Sequence, residues 1–394
     1  MKCIIFRKTR CCATFVTRRQ VFWGSWSGTH SRMENRDHFS APAAYMGHRL
    51  RAVLGVPVGF VGCNWGGTPA AAWTAAEELD AVPALQAVLD WHSRACAELD
   101  WPKYEADALH PDKDPPPEQR EMLDALMMGG SPELLQKQRP PRPPEGVSPF
   151  EPGPKAAVRP TGLYENILRR VAPYGVRGVI WYQGEDDDAR GWHAFYDESM
   201  KALIQSWRRL WKRELPFLQV ELAPLHEGLG KALNYAVIRE KQRDVMDALP
   251  GVHNVCILDA GDARNIHVRK KRPVGERLAL LARKYVYGEM ELLADSPRLC
   301  SVGRADSTVS LKFLYSGSGL FWKKTSCRPL YVEADGSMVA PEIDVCEDTV
   351  TLHSDIFSKA KQIKVRYCEE NYCEAALFNS AGLPAFPFSV CLNR

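Results

Sequence analysis

The sequence has no run of 18 or more apolar residues, so no transmembrane helix is expected. It has no C-x-x-C pair. Its 12 cysteines stand at 3, 11, 12, 63, 96, 256, 300, 327, 346, 368, 373 and 391, a scatter that argues against a zinc ribbon. In a chain of 394 residues they need not form a disulfide framework, and reduced thiols are the simpler reading. Residues 1–33 contain no acid but carry seven basic residues, Lys2, Arg7, Lys8, Arg10, Arg18, Arg19 and Arg32. Removing those seven from the formal net charge of +3 leaves residues 34–394 at −4, a balance that implies no nucleic-acid-binding surface. The apolar pieces of the start are broken by Arg7, Lys8 and Arg10, so it does not read as a secretory signal. A cytoplasmic protein follows, or a secreted one if the true N-terminus is missing.

What is present is ordinary for a folded globular chain: 45% hydrophobic and 25% charged residues. From about residue 41 strand and helix periods alternate. Ala44, Tyr45, Leu50, Val53 and Leu54 predict an amphipathic helix ended by Gly55, followed by a buried strand at 56–63. Residues 75–100 read as helix. Strands are expected at 176–182, 215–222 and 252–258, with helices at about 192–213, 230–248 and 273–287. Repeated strand–helix units predict a parallel sheet covered by helices, with ligands at the carboxyl ends of the strands. Residues 111–160 hold 13 of the 28 prolines and read as an insertion, a long loop with one short helix at 117–128. Beyond about 290 short alternating runs at 309–313, 349–352 and 363–367 predict a β-rich module. The expected division is an atypical basic segment over 1–38, an α/β domain over 39–290 and the β-rich module over 291–394.

Three strand ends carry chemistry. Cys63-Asn64-Trp65-Gly66-Gly67-Thr68-Pro69 places paired glycines after a strand, where a tight turn can present a backbone N–H to an oxyanion. Its plainer reading is a strand-to-helix turn. Trp181-Tyr182-Gln183-Gly184-Glu185-Asp186-Asp187-Asp188 runs from a strand into an amide donor and four acids. Asp186, Asp187 and Asp188 read as a solvated helix start, where acids are favoured. A metal site is the weaker reading, because hard-metal loops space their ligands. In the third segment His267 stands eight residues beyond Asp259 and can act as a general base if a carboxylate holds its other nitrogen.

Together these segments resemble the sialate O-acetylesterase family of SGNH-type carbohydrate esterases. The match runs through Phe39-Ser40-Ala41, Trp65-Gly66-Gly67-Thr68-Pro69, Trp181-Tyr182-Gln183-Gly184-Glu185, Trp207-Arg208, Ile266-His267 and the tail from Ala375 to Phe388. The resemblance implies a flavodoxin-like α/β sheet and hydrolysis of O-acetyl esters on sialic acid or a related sugar. His267 would be the base, Asp262 or Asp259 its acid, and Gly66 or Gly67 with Gln183 the oxyanion donors. Asn64, Trp65 and Glu185 would bind substrate. No cofactor, metal, nucleic-acid or membrane partner is implied. Asn265 stands where many relatives carry Asp.

The family's nucleophile lies in a Gly-Gln-Ser-Asn-Met-like motif after the first strand, and the sequence has no such motif. Ser25 is its nearest imitation among Ser25, Ser27 and Ser31, while Ser40 reads as a structural or capping residue. The chain thus resembles a member lacking its N-terminal portion, with neighbouring strands left unpaired. The alternative function is a sugar-binding pseudoenzyme without the nucleophilic serine.

Overall fold

The computed structural model describes residues 2–8, 14–16, 28–29, 40–102, 104, 153–154, 156–172, 174–226 and 233–394, the first three segments by their backbone. Phe39, Ser25, Ser27, Ser31, the short helix expected at 117–128 and residues 111–152 of the Pro-rich insertion lie outside the described residues.

The alternating segments form a 7-stranded sheet. Its strands are β1 (Lys2–Lys8), β2 (Thr14–Val16), β3 (Gly28–Thr29), β4 (Val58–Cys63), β5 (Gly178–Tyr182), β6 (Phe217–Val220) and β7 (Val252–Val255). They lie in the order β3-β2-β4-β1-β5-β6-β7. β5, β6 and β7 are parallel, with Val179 opposite Phe217 and Phe217 opposite Val252. Successive side chains point to opposite faces. Val179, Trp181 and Phe217 join one core with Trp73 and Trp207, while Ile180 and Leu218 join another with Met46, Leu50 and Leu278. Both faces are covered, which is why these strands read as continuous apolar runs.

The expectation that neighbouring strands lie unpaired is overturned. β1 fills the gap between β4 and β5, antiparallel to both, with Cys3 opposite Cys63 and Trp181. Its ladder supplies partners for backbone groups that would otherwise form exposed edges. Because β1 runs against its neighbours, Lys8 lies level with Val58, where β4 begins. The chain therefore leaves β1 at the end of the sheet where its neighbours start.

α1 (Ala41–Leu54) has Pro42 in its first turn and ends on Gly55 at φ 63°, a left-handed cap. Its buried stripe is Pro42, Ala43, Met46 and Leu50. Tyr45 and Val53, read as part of the apolar face, point to solvent. The predicted helix at 75–100 is two helices, α2 (Ala76–Ala81) and α3 (Gln86–Ala97), separated by the turn Pro83–Leu85. Pro83 has no N–H with which to continue α2. Beyond β5 come α4 (Glu185–Ala189), α5 (Tyr196–Trp211), α6 (Tyr235–Ala248) and α7 (Lys271–Leu281). α1 and α7 pack closely enough that a Cβ on Gly275 would lie 2.5 Å from the Pro42 carbonyl oxygen.

The rest is antiparallel β structure. One four-stranded sheet joins β8 (Arg298–Ala305), β9 (Thr308–Leu314), β13 (Glu342–Cys346) and β14 (Thr349–His353); another joins β11 (Leu330–Ala334), β12 (Ser337–Val339), β15 (Gln362–Tyr367) and β17 (Phe388–Asn393). β10 (Leu320–Trp322) pairs with β16 (Leu377–Asn379). The runs predicted at 309–313, 349–352 and 363–367 lie in β9, β14 and β15. Their core of Val309, Leu311, Val332, Val350, Leu352 and Val365 includes Cys256 and Leu258, just beyond β7. The module is thus anchored on a segment that reaches the functional edge.

Candidate active site

The strand registers place Cys63, Cys3, Trp181, Gln219 and Asn254 in one row across the sheet. β4, β5, β6 and β7 run in one direction, so the residues following each leave at a common edge. Asn64 to Thr68, Gln183 to Asp188 and Asp259 to His267 are brought to that edge.

The loop after β5 is built inward. Gly184 sits at φ 151°, and a Cβ there would lie 2.8 Å from Ile238 and 3.1 Å from Leu222. The turn it permits starts α4 at once, so Gln183 and Asp187, four residues apart, meet. Gln183 is 1% exposed. Its Nε2 donates to Asp187 Oδ2 at 2.5 Å and, more weakly, to the Thr68 carbonyl at 3.4 Å. Its Oε1 accepts from the Tyr196 hydroxyl at 3.0 Å. The Gln183 carbonyl accepts from Tyr196 and from Gln242 Nε2. Asp187 Oδ2 also accepts the Ala70 N–H at 3.0 Å, which ties the β4 loop to the β5 loop.

The three aspartates are not the solvated helix start that their sequence suggests, because Asp187 and Asp188 are buried. Burial pushes the Asp187 carboxyl up to about 7, against the hydrogen bond from Gln183 and with the neighbouring Asp186 charge adding to the rise. Asp186 is also raised by burial, opposed by the Arg190 guanidinium, whose Nε lies 2.6 Å from Asp186 Oδ2. Asp188 accepts the Asn234 N–H at 3.1 Å, and its other oxygen lies 3.4 Å from His193 Nδ1. The acids thus diverge to separate partners. Among the described residues no group of three or more His, Cys, Asp or Glu side chains is placed to hold a metal ion. Sequence reasoning missed Asp187; the signal was its four-residue spacing from Gln183 across a helix start.

The loop after β4 is open. Gly66 and Gly67 are exposed, Gly67 at φ 67°. A Cβ on Gly66 would meet nothing within 4 Å. Thr68 fixes the turn by donating to the Trp65 carbonyl at 2.8 Å and accepting the Trp73 indole N–H at 3.1 Å. Asn64 and Trp65 are half-buried, Trp65 against the core.

The loop after β7 is open as well, and braced by short-range bonds. Asp259 faces Arg277, each oxygen 2.6 Å from a guanidinium nitrogen. Asp262 Oδ1 accepts the N–H groups of Arg264 and Asn265 at 2.9 and 3.1 Å. Asn265 Oδ1 in turn accepts the His267 N–H at 2.8 Å. His267 itself is exposed. Glu185, Leu225, Tyr235, Asn265, Ile266 and Val268 line a small cavity of about 10 Å³, room for roughly one water. It joins the loops after β5, β6 and β7. Ser40 occupies the N-cap of α1, but its hydroxyl makes no capping hydrogen bond.

An α/β sheet covered by helices, followed by antiparallel β structure and with polar loops gathered at its carboxyl edge, fits an SGNH-like fold. Residues 149–284, which include Gln183, Glu185 and His267, match the family described as carbohydrate esterase, sialic acid-specific acetylesterase. The fold is similar to that of a carbohydrate acetylesterase from Xanthomonas citri, with TM-score 0.67 and 25% identity, over 96% of this chain and 73% of that one. No curated protein matches the sequence. Family match and fold likeness agree on one resemblance, to the carbohydrate acetylesterases, and the family match covers about a third of the chain. Among the described residues no helix is long and apolar enough to cross a membrane.

Proposed function

We propose that the protein removes O-acetyl groups from sialic acid or a related sugar. The observation that carries this is the convergence of the Gly66–Gly67 turn, the Gln183 loop and the His267 loop at one sheet edge, the last two within the family match. The exposed glycine turn supplies N–H donors for the ester oxygen. The Gln183 amide supplies another, its N–H toward Thr68 being held only at 3.4 Å. Losing one such donor typically costs about 10²–10³ in rate.

In this reading His267 takes the proton from an attacking serine hydroxyl and returns it to the departing sugar oxygen, leaving an acetyl-enzyme that water then hydrolyses; none of the three converging loops contains a serine, so the hydroxyl comes from elsewhere in the chain. Asp262 acts through Asn265, whose side chain holds the His267 backbone. Glu185 borders the same cavity as Asn265 and Ile266, which suits it to contact the sugar, with Asn64 and Trp65 across the edge.

The test is acetate release from O-acetylated sialic acid and from p-nitrophenyl acetate, with fluorophosphonate labelling and peptide mass mapping of the labelled serine. Hydrolysis with a single labelled serine is expected. Neither acetate nor label would overturn the proposal.

A further inference from the structure

Away from the esterase edge, three thiols meet where β10, β15 and β16 converge in the β-rich module. Cys368 and Cys373 Sγ lie 2.9 Å apart, and Cys327 Sγ lies 3.9 Å from Cys373. All three are free. Cys368 and Cys373 are each 2% exposed, while Cys327 is half-buried and reaches the surface. The backbone is held specially to make this meeting. Cys368 sits at φ 50°, a left-handed conformation that a residue with a Cβ adopts rarely and at a cost. Its N–H donates to the Pro329 carbonyl at 2.9 Å, and the Glu374 N–H donates to Cys327 Sγ at 3.1 Å.

We propose that Cys327, Cys368 and Cys373 form a thiol–disulfide exchange site, with a small-molecule disulfide as oxidant and a Cys368–Cys373 bond as product. The Cys327 thiolate attacks one sulfur of the small disulfide, forming a mixed disulfide and releasing one small thiolate. The Cys373 thiolate attacks Cys327 Sγ and expels the second small thiolate. Cys368, deprotonated as it attacks, then displaces Cys327 from Cys373, and Cys327 leaves as a thiolate that regains a proton. Two protein thiols are oxidised by two electrons, one small disulfide is reduced to two thiols, and Cys327 is regenerated. The local chemistry suits these roles. Cys373 is the central sulfur, donating to Cys368 Sγ at 2.9 Å and lying 3.9 Å from Cys327 Sγ, so it can receive the bond from Cys327 and pass it to Cys368. Burial raises the thiols of Cys327 and Cys368 alike, so access sets the order: Cys327 is the half-buried member that a small disulfide can meet, and Cys368 is buried.

The closed loop carries information to the α/β domain. Asn371 stands between the two joined cysteines. Its carbonyl accepts the Leu225 N–H at 3.1 Å, its side chain accepts the Ala236 N–H at 3.1 Å, and its Nδ2 donates to the Leu233 carbonyl at 2.7 Å. Arg239 donates to the carbonyls of Glu370 and Asn371. A disulfide across this loop would tether the segments on either side of Leu225 and Tyr235, which line the cavity beside Glu185. The exchange itself does not depend on the esterase reading.

The experiment uses the full chain, reduced, freed of reductant and incubated with glutathione disulfide. The chain is then unfolded in excess N-ethylmaleimide and mapped by peptide mass. The expected product is a Cys368–Cys373 cross-link with Cys327 carrying maleimide. Cys327→Ser should slow its formation about tenfold or more, and Cys368→Ser should stop the relay at a Cys327–Cys373 bond. Maleimide on all three cysteines of the wild-type chain would overturn the proposal, and this arm needs no variant to fold. An unchanged rate in Cys327→Ser would overturn the relay.

Discussion

The loops after β5 and β7 leave the same edge of one sheet and are built in opposite ways. After β5, Gln183 and Asp187 are buried, and their bonds reach Thr68, Ala70, Tyr196 and Gln242, far away in sequence. After β7, the bonds of Asp262 and Asn265 span two or three residues, and His267 is exposed. A site that must hold a carbonyl in place and also admit a substrate needs both kinds of construction. On the proposed reading the buried loop fixes donors against rigid neighbours, while the open loop would keep His267 within reach of solvent and sugar.

The largest expected effect tests the open loop. His267→Ala should lower the rate of acetate release by about 10²–10⁴, the usual worth of a positioned general base. Its melting temperature should stay within about a degree, as expected for an exposed side chain. A large loss of stability would instead place His267 in the framework and erase the contrast between the loops.

Gly184→Ala tests the buried loop. The new Cβ would sit 2.8 Å from Ile238 at a backbone angle that side chains avoid. A loss of about 2–4 kcal/mol in unfolding free energy is expected, from strain and overpacking together, read by denaturant titration. A neutral result would mean that the turn relaxes freely and fixes little.

How much of this was legible in the sequence follows the same division. The strand ends, the helix-ending Gly55 and the Gly66–Gly67 turn are local patterns, and the structure keeps them. The burial of Asp187 was not legible from composition, because four successive acids ordinarily mark a wet helix start. Acceptance from the distant Ala70 N–H, together with Gln183 four residues earlier, makes that burial tolerable. The strand pairing of Lys2–Lys8 was equally hidden. Its basic residues suggested a tail, whereas an edge between β4 and β5 supplies the hydrogen-bonding partner that short-range patterns cannot reveal. Tyr45 and Val53 were misread for a related reason: α1 meets α7 along Pro42, Ala43 and Met46, and periodicity alone admits either stripe.

A titration sharpens the contrast next. The Asp187 carboxyl holds its proton up to about 7 in the folded chain, against an ordinary value of 3.8. The folded state therefore binds the proton more tightly than the unfolded one. The stability contributed by this group is full below about pH 4 and is lost as pH rises through about 7. Asp187→Asn imitates the protonated form and keeps an acceptor oxygen. Its melting temperature should fall less than that of the wild type between pH 4 and 7. Parallel curves would show that Asp187 does not carry this titration.

A small effect on stability is expected at Asp262, and it separates two roles. Asp262→Ala frees two N–H groups that water can reach, so it should cost only about 0.5–1.5 kcal/mol. If the carboxylate acts by bracing Asn265, and through it His267, then Asp262→Asn keeps an acceptor oxygen. It should retain acetate release within about threefold, while Asp262→Ala loses about tenfold in kcat with KM kept. If the carboxylate instead steadies the charged imidazole, Asn fails as badly as Ala, because an amide does not stabilise a cation as an anion does. The ratio of the two variants thus decides whether the open loop is held by its short-range turn alone or by charge acting on His267.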